Sequence, residues 1–325
     1  MTPRLRNFFT WLGAAACMAM AVAAPAHAAF PDKPVRLVVP FAPGGGTDLI
    51  ARTLGVGMSQ ALGQPVIIEN KPGAGTIIGT DMVAKSPADG YTLVVASFAH
   101  AVNPSLVPKL PYAADKAFTP VILIGRGPNV LVVRADSLYK TVKDIAAAAA
   151  AKPDRLSYAS QGNGTSAHLA GEMFTNLAKV RMIHIPYKGA GPAITDLLGG
   201  QVDMMFATSS AVGAFIDSGK LRAVGVTTPD RSVALQGVPA IAETVTGYAV
   251  ESWYGLYAPA GTPADVVAKL NAAAKKAAQA DEFRKKIEQE GLVVSAGSPE
   301  ELDAYVRREE ARWRKIVKEN NIKVD

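Results

Sequence analysis

The sequence predicts an α/β fold built as two lobes, and three observations carry that prediction. Short β-branched runs alternate with helix-period runs for most of the length, the pattern of strands joined by helical crossovers. One construction then occurs twice: strand, glycine turn, helix, strand, Lys-and-glycine turn, helix, strand. The C-terminal part instead reads as capped, charged helices, the kind that return to cover an earlier lobe.

The first copy opens with a strand at 35–39, followed by Pro43-Gly44-Gly45-Gly46-Thr47-Asp48 and a helix over 47–61. A strand at 66–69 leads into Asn70-Lys71-Pro72-Gly73-Ala74-Gly75, a helix at 77–84 and a strand at 92–96. Two further strands, 121–124 and 130–134, flank Gly125-Arg126-Gly127-Pro128, which reads as a crossing to the second lobe. A helix over 141–151 follows, its alanine run serving as helix-forming filler.

The second copy has a strand at 156–159, the turn Ser160-Gln161-Gly162-Asn163-Gly164-Thr165 and a helix over 166–178. A strand at 182–185, Tyr187-Lys188-Gly189-Ala190-Gly191 and a helix at 193–198 complete it, with strands at 202–206 and 222–227 after. The chain returns near Glu251-Ser252-Trp253-Tyr254, in a strand over 252–257. Thr262-Pro263 supplies an N-cap and first position for a helix to about 278. Ser298 and Glu301 have capping-box spacing for a last helix, 300–319, which turns Leu302, Tyr305, Trp313 and Ile316 inward. The lobes are then 29–126 plus 252–325, and 127–251, with a cleft between them.

Residues 1–28 read as a signal peptide: Arg4 and Arg6, an apolar run, then Ala26-His27-Ala28 as the cleavage pattern. That segment holds the one cysteine, Cys17, so the mature chain has neither a disulfide nor a thiolate. It also holds two arginines and no acidic residue, so the net charge of +6 falls to +4. The positive charge is spread out, with no basic block interleaved by aromatics, which argues against nucleic acid and suits an anionic solute.

Each glycine turn follows a strand and opens a helix, so each aims backbone N–H groups at a shared space, a place for an anion. The first turn is neither a P-loop, lacking a terminal Gly-Lys-Ser/Thr, nor a Gly-x-Gly-x-x-Gly dinucleotide loop. Asp48 reads mainly as a local cap, since a carboxylate repels an anion. Ser97, at a strand's C-terminal end, joins the candidates because open α/β sheets bind ligands there. His168 divides evenly between ligand contact and packing, and His184 reads as a core histidine. No Gly-x-Ser-x-Gly elbow supports a hydrolase built on Ser160 or Ser166, and no histidine spacing supports a metal site.

These motifs, in this order, resemble the tripartite tricarboxylate transporter substrate-binding family, the Bug or TctC-like solute receptors. Phe30-Pro31-Asp32-Lys33-Pro34, Asp89-Gly90-Tyr91-Thr92, His100-Ala101-Val102-Asn103-Pro104 and Gly200-Gln201-Val202-Asp203 extend the likeness over the mature chain. The resemblance implies a two-lobed periplasmic-binding-protein fold, type II-like, each lobe a mostly parallel sheet flanked by helices. It implies a monomer in the periplasm, without cofactor, metal or catalysis, that closes on a small organic acid and serves membrane transporter subunits or a membrane sensor. Carried onto this chain, it points to Phe41, Ala42, Gly45, Gly46 and Thr47 in the first lobe, and Ser160, Gly162, Gly164, Thr165 and His168 in the second. Where the family often has Asp after Met205-Phe206, this chain has Ala207, which favours a plain mono- or dicarboxylate over an amino acid. An exported hydrolase and a signalling receptor are the rival readings.

Overall fold

The strands form two sets that share one long strand. The computed structural model describes residues 30–232, 235–289, 291–319 and 322. The expected signal peptide, residues 1–28, lies outside the described residues. Residues 1–32 form a unit of their own, of which 30–32 are described, and the architecture below belongs to the unit spanning Lys33–Asp325.

The first set is built on β1 (Val35–Val39), which pairs in parallel with β2 (Val66–Asn70) and β3 (Thr92–Ser97). Helices α1 (Gly46–Leu62) and α2 (Ile77–Ala84) make the crossovers, and α3 (Phe98–Leu106) follows β3 directly. The long strand β4 (Phe118–Arg134) leads to α4 (Val142–Ala151). The second set repeats the plan: β5 (Ser157–Ser160), α5 (Ser166–Leu177), β6 (Ile183–Pro186), α6 (Ala190–Leu198), β7 (Met204–Thr208), α7 (Ser209–Asp217) and β8 (Leu221–Val226). The chain closes with β9 (Glu251–Pro259), α8 (Ala264–Gln279), α9 (Asp281–Gln289), β10 (Val293–Val294) and α10 (Pro299–Glu319).

Parallel pairing holds where the repeat predicts it, at β1–β2, β1–β3, β5–β6 and β5–β7. Antiparallel strands make each set mixed: β9 pairs β3 and the first part of β4, while β7 and β8 pair the last part of β4. The hydrogen-bonded path therefore continues from one set to the other through β4. The expected crossing at residues 125–128 is itself strand, with Gly125 opposite Tyr254 and Pro128 opposite Glu251. Its glycines serve close packing rather than a turn. A Cβ on Gly125 would lie 2.7 Å from the Val293 carbonyl oxygen, and one on Gly127 would meet Leu292 at 2.5 Å.

Helix α1 presents Ile50, Leu54 and Met58 to the interior at one-turn spacing, and Gly63 ends it with φ +69°. Helix α8 lies against it, close enough that a Cβ on Gly57 would be 2.7 Å from the Ala277 Cβ. The hydroxyl of Thr262 turns back to the Pro259 carbonyl (2.8 Å), so α8 begins after Pro263 without a side-chain cap. The capping box of α10 forms as the spacing predicts. Glu301 N–H donates to Ser298 Oγ at 3.2 Å, and Ser298 N–H donates to the Glu301 carboxylate at 2.6 Å. Trp313, fully buried, meets Phe98 of α3 edge-on at 4.8 Å, which seats α10 on the first set. An aromatic pair of this kind adds about 0.5–1.5 kcal/mol to the area it buries.

Candidate binding site

The first glycine turn is held from within. Gly44, at φ +85°, donates its N–H to Asp48 Oδ2 at 3.0 Å. Arg52 Nε donates to the same oxygen at 2.9 Å, and Asn70 Nδ2 donates to Asp48 Oδ1 at 2.9 Å and to the Phe41 carbonyl at 3.1 Å. Burial pushes the Asp48 carboxyl up, but the hydrogen bonds from Arg52, Gly44 and Asn70 outweigh it and leave the group below its ordinary value. Asp48 is thus an ionised clamp on the turn, in line with its reading as a local cap.

The second turn is self-satisfied in the same way. Gly162 N–H donates to Ser160 Oγ at 3.2 Å, and Gly164 N–H donates to His168 Nδ1 at 3.2 Å. Thr165 Oγ1 donates to the Gly162 carbonyl at 2.7 Å and caps α5 by accepting His168 N–H at 3.3 Å. Ser160 Oγ also lies 2.7 Å from His184 Nε2. The N–H groups of Gly44, Gly162 and Gly164 therefore serve the turns themselves. Gly46 and Thr47 in α1, and Ser166 and Ala167 in α5, belong to first helical turns, whose N–H groups have no intrahelical acceptor.

These helix starts meet. Phe41, Ala42, Gly45, Gly46, Thr47, Ser97 and Thr165 line one cavity of about 20 Å³. Gly162 lines a second, of about 200 Å³, which shares Phe41, Gln161 and Thr165 with the first. Ser160, Gly164 and His168 line neither. They lie behind the second turn and shape it, which is the packing alternative weighed for His168. Ser160 is fully buried and lies 2.7 Å from His184 Nε2, away from both cavities.

The cavity also takes in Gln161 and Ser166, which belong to the second turn and its helix start but are not among the ligand candidates, and Thr208, Ser252 and Tyr254, which the glycine pattern does not reveal. Thr208 ends β7, so the strand-end rule that selects Ser97 selects it too. Ser252 and Tyr254 come from the antiparallel β9, for which no local motif speaks. The Tyr254 hydroxyl is buried beside the hydroxyls of Ser252, Ser210 and Thr208, and burial outweighs their hydrogen bonding to hold the phenol above its ordinary value, so it stays neutral. Among the described residues no Asp, Glu, Lys, Arg or His lines the smaller cavity, while Lys188 lines the larger. The space is walled by hydroxyls, an amide and the positive ends of two helices, a chemistry for a desolvated anion.

The volume is that of about one water by the usual threshold of ~10–15 Å³. Its walls are close: a Cβ on Gly45 would lie 3.7 Å from Ala190 Cβ, and beside the larger cavity one on Gly75 would lie 2.7 Å from the Asn163 carbonyl oxygen. A larger guest enters only if the two halves of the repeat separate. Among the described residues no group of His, Cys, Asp and Glu could hold a metal ion, and no helix is long and apolar enough to cross a membrane.

The chain matches the model of the tripartite tricarboxylate transporter family receptor over residues 50–322. A protein from the tcbD–tcbE intergenic region of Pseudomonas sp. (strain P51) is 42% identical over 293 residues, covering 90% of this chain and 87% of that one. Among solved structures, the periplasmic binding protein BugD matches with TM-score 0.87 at 35% identity, over 90% of this chain and 99% of that one. Rpa4515 of R. palustris with adipate gives the same TM-score, 0.87, at 35% identity and 90% and 99% coverage. MatC of Rhodopseudomonas palustris with bound malate gives 0.83 at 36% identity, covering 89% and 100%. The architecture is accordingly the two-lobed α/β fold of periplasmic binding proteins.

Proposed function

Because the chain belongs to the tripartite tricarboxylate transporter receptor family, we propose that it captures a small organic carboxylate between its lobes, in the periplasm, for uptake by membrane transporter subunits. The observation that carries this reading is the meeting of the α1 and α5 N-termini over a cavity walled by neutral donors. Solved relatives in this fold hold adipate and malate, which supports a carboxylate here.

In this account the lobes are 29–126 plus 252–325, and 127–251, a division that the change of β4 partners at Pro128–Asn129 supports. One carboxylate of the ligand takes N–H groups from Gly46 and Thr47 of one lobe and Ser166 and Ala167 of the other. Phe41, Ala42, Gly45, Ser97 and Thr165 enclose it, and Tyr254 donates from the floor. Each charge-assisted hydrogen bond contributes about 1.5–3 kcal/mol. A few of them offset the cost of closure and leave micromolar affinity, about −8 kcal/mol. The ligand thereby locks the lobes together, since its donors belong to both.

Calorimetric titration of the protein with a panel of short mono-, di- and tricarboxylates, malate and adipate included, tests the reading. Micromolar binding of at least one acid is expected. A folded protein that binds none of them, yet binds an uncharged or cationic solute, contradicts it.

A further inference from the structure

The two glycine turns are clamped by one geometry and two chemistries. Gly44 N–H donates to Asp48 four residues on, at 3.0 Å, and Gly164 N–H donates to His168 four residues on, at 3.2 Å. The first acceptor is a carboxylate kept ionised by Arg52, Gly44 and Asn70. The second is an imidazole, which accepts only while its Nδ1 carries no proton. Behind it the His184 ring stacks on His168 at 4.2 Å and 14°, and Tyr158 stacks on His184 at 4.8 Å. His184 Nε2 reaches Ser160 Oγ, the acceptor of Gly162 N–H. Both glycines of the turn thus end on the histidine pair, one directly and one through a serine.

We propose that His168 is a positioning residue for ligand capture, supported by His184: the neutral, stacked pair fixes the turn from Gly162 to Gly164 and so aims the start of α5 at the ligand. The inference rests on the carboxylate-receptor reading above. A proton on His168 Nδ1 sets two donors, imidazolium and Gly164 N–H, against each other, and the turn loses its clamp.

The groups facing His168 do not restore it. Glu172 of α5 lies 3.9 Å from His168 Nε2, on the far side of the ring from Nδ1, and accepts the Tyr158 hydroxyl at 2.6 Å. His184 of β6 and Tyr158 of β5 complete the stack, and the Tyr248 hydroxyl donates to the Ala170 carbonyl at 2.9 Å. Burial brings His168 down to about 4. Burial, with His168 adding to it, brings His184 down to about 3. Burial raises Glu172. Both histidines are therefore neutral at ordinary pH, and acid is the condition that tests them.

Two variants separate positioning from bulk. His168→Phe keeps a ring on His184 and removes the acceptor; His168→Asn places an amide oxygen near the Nδ1 position and cannot titrate. Wild type and both variants are titrated with the tightest-binding acid of the carboxylate panel from about pH 7.5 to about pH 3.5, with circular dichroism reporting folding at each point. His168→Phe is expected to bind roughly tenfold more weakly at about pH 7.5, the loss of one buried acceptor, and His168→Asn to recover most of that loss. The wild-type to His168→Asn affinity ratio should fall roughly fourfold by about pH 3.5, as expected for a group titrating at about 4. The ligand's own titration cancels in that ratio. A ratio constant across the range, or a Phe variant that binds as tightly as wild type, overturns the proposal. If one variant does not fold, the comparison with the other decides alone. Wild type that binds no acid of the panel overturns the receptor reading, and this inference with it. Wild-type binding with a flat ratio overturns this inference only.

Discussion

Gly46 and Ser210 touch across the repeat: a Cβ added to Gly46 would collide with Ser210 Oγ and fall 2.9 Å from Thr208 Oγ1. Gly46 begins α1 and Ser210 lies in the first turn of α7, so this contact joins the halves that the ligand is proposed to bridge. Gly46→Ala should hold the lobes apart while leaving the start of α1 helical. We expect an unchanged melting temperature with affinity reduced roughly tenfold or more, about 1.4 kcal/mol. Ser210→Gly in the same chain should return part of it. An alanine variant with wild-type affinity would show that closure does not need this approach.

Tyr254→Phe separates ligand contact from fold. The hydroxyl is buried beside those of Ser252, Ser210 and Thr208 and lines the smaller cavity. Its removal should change the stability of the free protein by no more than about 1 kcal/mol, while the rise in melting temperature on adding the acid shrinks. An undiminished rise would place the ligand away from β9.

Asp48→Ala should destabilise the protein, because Gly44 N–H and the Asn70 amide lose their acceptor. A loss of about 1–3 kcal/mol in urea unfolding is expected. Asp48→Asn, which retains one oxygen, should cost less. Equal stability of both variants and wild type would mean that the turn holds itself.

Two buried histidines, His100 and His168, and the half-buried His184 set an acid limit on the fold. Burial lowers His100 and His168 to about 4, and burial together with His168 lowers His184 to about 3, all from an ordinary 6.5. The folded state therefore binds these protons less readily than the unfolded chain does. Stability is complete above about pH 6.5 and falls as the pH drops toward 4, where the unfolded state takes up protons first. Urea unfolding at about pH 7 and pH 4.5 measures this, and His100→Asn should flatten part of the slope. A midpoint independent of pH across that window would contradict the burial of neutral imidazoles.

Much of this architecture is legible from residues alone because the glycine turns and capped helices are local devices. The α2 helix has the bounds that its pattern predicts, and the Ser298–Glu301 box forms as written. What is not legible depends on distant neighbours. Gly125, Gly127 and Pro128 look like punctuation, yet β9 pairs across them and β10 packs on them, so two expected strands merge into β4. Helix α3, for which no sequence pattern speaks, holds Pro104 within it and is seated by contacts such as Phe98 on Trp313. The site divides the same way. Seven of the eleven candidate residues line the smaller cavity and Gly162 lines its neighbour, whereas Ser252 and Tyr254 arrive from a strand far along the chain. Spacing identifies the glycine turns as a unit but does not reveal that their N–H groups are spent internally on Ser160, His168 and Asp48.

The central claim is that one carboxylate bridges the starts of α1 and α5. A crystal structure of the protein with the acid that binds tightest tests it most directly. The account predicts carboxylate oxygens within hydrogen-bond distance, about 2.7–3.2 Å, of N–H groups from Gly46 or Thr47 and from Ser166 or Ala167, with the Tyr254 hydroxyl within reach of the same acid. An acid held by one lobe alone, or bound outside the space that these helix starts enclose, would contradict it.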